Sequence, residues 1–125
     1  MRLVLDAGAL IAIDRGNRRV AALIELGRRA DAELVTSAPV VGQVWRDGAR
    51  QARLARALPT ITVEAVDLEA CQRAGELLAA AGTADVVDAL VALLARPGDQ
   101  VLSSDPDDLT RLLDAQQVGA RCVQV

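Results

Sequence analysis

The chain has 125 residues, enough for one domain and too few for two cores of ordinary size, so residues 1–125 are read as a single domain. Apolar residues make up 52% of it and charged residues 25%, a globular balance, with a formal net charge of −3. It has no histidine, lysine, tyrosine or phenylalanine. Those absences exclude Ser-His-Asp and Cys-His catalysis, His-ligated zinc, Walker-type phosphate loops, Schiff-base chemistry and aromatic platforms for stacking bases.

Leu3–Val4–Leu5 is a short buried-strand signal that ends at Asp6, and the apolar run Ala7–Ile13 begins a helix. Asn17 is placed to cap a second helix over Arg18–Arg29, with Val20 and Ile24 turned inward. Leu34–Thr36 reads as a second strand. Ser37 before Pro39 starts a third helix, which carries Val40, Val41, Val44 and Trp45 and stops or bends near Gly48. Ala49–Leu58 continues in a helical pattern to Pro59, and the β-branched run Thr60–Val63 follows as a strand. Asp67 caps a long helix to about Ala81, and Thr83 caps another over Ala84–Ala95. After the Pro97–Gly98 turn come a strand at Gln100–Ser103, a helix from Pro106 through Leu113, and a closing strand at Arg121–Val125.

Short apolar strands separated by helices predict an α/β fold, a three-layer α/β/α sandwich around a mostly parallel sheet. The core has to be aliphatic, because Trp45 is the one aromatic residue; it is read as a core or dimer-interface anchor. Cys71 and Cys122 lie far apart, outside any C-x-x-C pair, and are read as two small buried hydrophobes. The first residues show neither an apolar signal region nor a cleavage site, and no apolar run reaches membrane-spanning length, so a cytosolic protein without membrane contact is expected.

Charge is divided unevenly: residues 1–62 hold ten arginines against six acids, and residues 63–125 hold four against eleven. Such a division suits a protein whose acids hold a cation while its arginines hold phosphates, although it also suits ordinary solvated surfaces. Ligands of doubly covered parallel sheets gather at the carboxyl ends of the strands, which makes the position of the acids informative. Asp6 follows the first strand and Asp105 follows the strand at Gln100–Ser103. Asp85 and Asp88, three residues apart, share one helical face. Structural roles are open to most of them, as helix cap for Asp6, as macrodipole partner for Asp85 and as turn residue for Asp105. Asp88 is harder to explain in that way, since it interrupts an apolar segment. Several carboxylates at one point repel unless a divalent cation neutralises them, and an oxygen-only set suits Mg²⁺ or Mn²⁺.

Three segments together carry a family resemblance. Leu5-Asp6-Ala7-Gly8-Ala9-Leu10, Asp88-Ala89-Leu90-Val91-Ala92, and Val101-Leu102-Ser103-Ser104-Asp105 with Pro106-Asp107-Asp108-Leu109 resemble, in order and spacing, the motifs of PIN-domain proteins. The resemblance spans essentially the whole chain and is closest to the VapC-type toxins of toxin–antitoxin operons. It implies an acidic Mg²⁺ or Mn²⁺ pocket, endoribonuclease activity on RNA, a cognate antitoxin and a homodimer. By position it makes Asp6, Asp88 and Asp105 the catalytic metal acids and Asp85 a further metal acid. Asp108 and Ser103 take auxiliary places. One position departs from the pattern: where the family usually has a glutamate, this chain has Gln43, which offers a carbonyl oxygen but neither charge nor basicity. Asp47, read as one helical turn further on, is expected to compensate in part.

Arg46, Arg50, Arg53 and Arg56 would form one ridge, contacting RNA phosphates or an acidic antitoxin segment, if a single helix ran through Gly48. Ser103 is expected to orient an acid or a water, since no base is at hand to make it a nucleophile. Two other readings compete. A catalytically weak PIN-like binding or regulatory protein is favoured by Gln43. A response-regulator receiver is disfavoured by the lack of lysine.

Overall fold

The computed structural model describes residues 1–125. Five strands, β1 (Arg2–Leu5), β2 (Glu33–Ser37), β3 (Thr62–Glu64), β4 (Gln100–Ser103) and β5 (Arg121–Gln124), form one sheet in the order β3-β2-β1-β4-β5. Every pair is parallel. The central strand is buried on both faces, which is why Leu3, Val4 and Leu5 form an unbroken apolar run rather than an alternating one. At the edge, β3 is three residues long and wholly exposed.

Seven helices cover the sheet: α1 (Ala7–Asp14), α2 (Arg18–Arg29), α3 (Ala38–Val44), α4 (Ala52–Ala57), α5 (Leu68–Ala81), α6 (Val86–Leu94) and α7 (Pro106–Gln116). Right-handed crossovers put α1–α4 on one face and α5–α7 on the other. Packing agrees, since α1 contacts α2, α3 and α4 while α5, α6 and α7 contact one another. The result is the expected three-layer α/β/α sandwich. Helix α6 is almost entirely apolar, and its Ala89–Ala92 segment is buried. No single helix is long and apolar enough to cross a membrane; α5 and α6 would be together, but they meet at 103°.

Several boundaries differ from the sequence reading for local reasons. The third helix ends at Val44 because Gln51 replaces its next turn. The Gln51 Oε1 accepts from the Arg46 and Asp47 amides at 2.7 and 3.0 Å, and its Nε2 donates to the Val44 carbonyl at 2.8 Å. Trp45 turns extended there and is 37% exposed beside Gly48, so it is no core anchor. A 3-10 turn at Leu58–Thr60 absorbs the start of the expected third strand. At α6 the cap is Asp85 rather than Thr83: its Oδ1 accepts from the Val87 and Asp88 amides at 2.9 and 3.1 Å. The Thr83 hydroxyl is left buried without a partner. Cys71 is exposed on α5 and Cys122 half-buried on β5, contrary to the expectation that both are enclosed.

The lower edge of the sheet is locked by charge. Asp99, 3% exposed, accepts from the Arg2 amide at 2.8 Å, the Arg2 Nε at 3.2 Å and the Arg96 amide at 2.8 Å. The Arg2 Nη2 donates onward to the Leu94 carbonyl.

Candidate active site

In the strand order β3-β2-β1-β4-β5 the chain winds outward in both directions from the β1–β4 boundary, the point at whose carboxyl ends such sheets place their ligands. Asp6 stands at that point. It is 7% exposed and caps α1, its Oδ1 accepting from the Ala9 amide at 2.8 Å. The Gly8 amide lies near enough to favour the charged form of Asp6 as well. Its own amide donates to the Leu102 carbonyl of β4 at 3.2 Å, tying the ends of the two strands together. The buried Ser103 hydroxyl accepts from the Asp105 amide at 3.0 Å and lies near enough to Asp6 to favour its charged form. On the other side, the Thr36 hydroxyl of β2 donates to the Leu5 carbonyl at 2.7 Å, immediately before Asp6. That residue carried no sequence signal beyond being a polar end to an apolar strand.

The remaining acids stand at two other places. Asp105 occupies the cap position of α7 without capping it, so its carboxylate is free of backbone duties. Asp108 lies in the first turn of the same helix. Asp88, half-buried, projects from the first turn of α6. Burial, and then the charges of Asp85, Asp6, Asp108 and Asp105, raise the Asp88 carboxyl to about 6. For Asp6, burial pushes the pKa up most strongly, against the hydrogen bonds from Ser103, Ala9 and Gly8, and the charge of Asp105 adds to the rise. Acids from the β1 end, the start of α6 and the β4–α7 connection therefore share one electrostatic field.

An oxygen-only set of this kind fits a hard divalent cation in kind. As they stand, no three of the acids are close enough together to form a ready coordination shell, so holding an ion requires side chains to turn inward. One Asp85 oxygen is already committed to capping α6.

The auxiliary positions separate from this group. Gln43 is exposed on the last turn of α3 and forms no side-chain hydrogen bond. Asp47 is not one helical turn on, because α3 has ended. It closes the following turn by accepting from the Ala49 amide at 3.0 Å and pairs with Arg50 at 3.8 Å. The four arginines do not share a helix. Arg46 folds back onto the Gly42 and Trp45 carbonyls and Arg50 sits in the turn. Arg53 and Arg56 stand on α4 and border a groove of about 520 Å³ between α1, α2 and α4. The groove has Ile13, Val20, Ile24 and Ile61 along its floor, and Arg28 and Glu25 also at its rim.

No protein-family model and no curated protein matches the sequence significantly. Among solved structures, the chain is similar to one in the crystal structure of VapBC2 from Rickettsia felis bound to a DNA fragment from their promoter. The TM-score is 0.70 at 13% sequence identity, over 100% of this chain and 99% of that one. At this identity the likeness concerns the fold alone, and it agrees with the α/β/α architecture that the motif order implies.

Proposed function

We propose that the chain is a Mg²⁺- or Mn²⁺-dependent endoribonuclease, acting in the cytoplasm as the toxin of a toxin–antitoxin pair. The observation that carries this reading is the placement of Asp6, Asp88 and Asp105 at the end of β1, the start of α6 and the β4–α7 connection, acids from separate parts of the chain whose charges act on one another. Structural capping explains Asp85 and part of Asp6, while Asp88, Asp105 and Asp108 cap no helix.

Asp6, Asp88 and Asp105 would hold the cation, with Asp85 and Asp108 adding charge around it. When bound, such an ion activates water and stabilises the charge that develops on a phosphodiester under attack. Ser103 holds the start of the Asp105 segment through the Asp105 amide and lies near the Asp6 carboxylate. It lacks a base to make it a nucleophile. Without histidine, proton transfer to the leaving oxygen falls to water.

An antitoxin partner is supported by the VapBC complex in which the similar fold occurs. The groove between α1, α2 and α4 suits such a partner: apolar side chains would enter its floor, and acidic ones would meet Arg28, Arg53 and Arg56. A homodimer belongs to the same reading.

A second reading, a weakly catalytic binding protein of the same fold, is favoured by Gln43 and by the lack of a ready coordination shell. Incubating the purified protein with structured RNA separates the two. The nuclease reading expects cleavage with Mn²⁺ that stops with chelator and in Asp6→Asn and Asp88→Asn. Cleavage that persists in chelator overturns the metal mechanism, and RNA left intact under every divalent ion supports the binding reading.

A further inference from the structure

Gly8 is the second residue of α1, two positions past the buried Asp6, and its backbone is helical. Glycine weakens a helix at such a position, and no positive φ requires it here. Its surroundings supply the reason. A Cβ at residue 8 would overlap the Ser104 Oγ and lie 2.6 Å from the Ser104 Cβ and 3.0 Å from the Ser104 amide nitrogen. The first turn of α1 and the main chain of the β4–α7 connection thus touch without an intervening side chain. Ser104 lies between Ser103, whose hydroxyl accepts from the Asp105 amide, and Asp105, whose charge acts on Asp6.

We propose that Gly8 is a positioning residue. By letting the β4–α7 connection seat directly on α1, it sets the distance between the Asp6 and Asp105 carboxylates on which cation binding depends. One backbone tie already holds these segments, the Asp6 amide to the Leu102 carbonyl at 3.2 Å. It lies before Ser103. Past that residue, the Gly8–Ser104 contact governs how far Asp105 stands from α1. A methyl group at residue 8 pushes that segment outward and carries Asp105 with it. The inference rests on the metal-dependent reading of the acids and specifies what assembles them.

Calorimetric titration with Mn²⁺ alone tests it, without any RNA. Gly8→Ala is expected to bind Mn²⁺ about 10- to 100-fold more weakly than the unaltered chain, the range typical when support around a metal site is lost. Adding Ser104→Gly removes the two closest obstructions and is expected to restore most of the affinity. Gly27→Ala serves as the comparison, because its Cβ would press on the Leu3 Cδ1 at 2.6 Å, within the layer between α2 and β1. It is expected to lower the melting temperature and leave Mn²⁺ affinity intact. The Asp105 amide resonance, which reports the bond to Ser103, is expected to shift in Gly8→Ala and return in the double variant. Should Gly8→Ala fail to fold, recovery of folding and Mn²⁺ binding in the double variant supports the steric contact, and a double variant that folds without binding overturns the proposal. Equal Mn²⁺ affinity in Gly8→Ala and the unaltered chain overturns it as well. Absence of Mn²⁺ binding in the unaltered chain instead overturns the metal-dependent reading itself.

Discussion

Asp85 caps the helix on which Asp88 stands: one carboxylate oxygen accepts the Asp88 amide at 3.1 Å, while its charge raises the Asp88 carboxyl. The same side chain thus stabilises the local backbone and destabilises the neighbouring carboxylate. A helix N-terminus offers partial compensation through its dipole, yet burial remains the largest cause of the Asp88 shift.

Replacing Asp85 with asparagine separates the two effects. Asparagine caps as well as aspartate, so folding is expected to stay near that of the unaltered chain. The Asp88 carboxyl is expected to titrate below about 6 yet still above 3.8, since burial and three other acids continue to act on it. Carbon-detected NMR titration of the side-chain carboxyl measures this. Asp85→Ala removes the cap too and is expected to cost about 1 kcal/mol in denaturant unfolding.

Stability of the metal-free protein should depend on pH in a defined direction. Asp88 has a folded pKa of about 6 against 3.8 for the free side chain, so between those values the folded state holds more protons than the unfolded one. Its contribution to stability therefore falls as pH rises from about 4 to about 6. Asp6, also raised by burial, acts with the same sign. Thermal melts across that window are expected to show a smaller decline in Asp88→Asn. An unchanged pH profile in that variant would show that Asp88 ionises as freely when folded as when unfolded.

At the opposite end of the sheet, removal of Asp99 leaves the Arg2 guanidinium and two amides without their acceptor. Breaking a buried pair from one side costs about 3 kcal/mol. Asp99→Ala is expected to lower unfolding free energy by about that amount, while Mn²⁺ affinity of the folded fraction stays unchanged. A selective loss of affinity would mean that the two ends of the sheet are coupled.

Gln43 gives a gain-of-function prediction. If its place on α3 faces the bound ion, Gln43→Glu adds a charged oxygen, and Mn²⁺ affinity rises by about tenfold, a change of about 1.4 kcal/mol. Titration calorimetry decides it, and unaltered affinity would place α3 outside the coordination sphere.

Much of this arrangement was legible in the sequence because it rests on short-range chemistry. Asn17 and Asp67 accept the amides of Val20 and Ala70 at 3.0 and 2.8 Å, as their spacing before the apolar runs indicated. The β4 strand occupies Gln100–Ser103 as read, and the order of strands and helices was sufficient for the layered fold. What escaped the sequence depended on side chains acting at a distance along the chain. Gln51 supplies a turn's hydrogen bonds to residues five and four positions earlier, so α3 ended early and the arginine ridge dissolved. Asp99 reaches Arg2 across 97 residues, and the Gly8–Ser104 contact joins segments that share no pattern. Asp85 was visible as an acid near a helix start, but the cap could not be assigned while Thr83 offered the same chemistry two residues earlier.

Anomalous diffraction from crystals soaked in Mn²⁺ tests the central claim most directly. The account predicts a manganese peak bonded to carboxylate oxygens of Asp6 together with Asp88 and Asp105, with those side chains turned toward it. A crystal in which Mn²⁺ sits only at other surface acids, with these three facing apart, would contradict it.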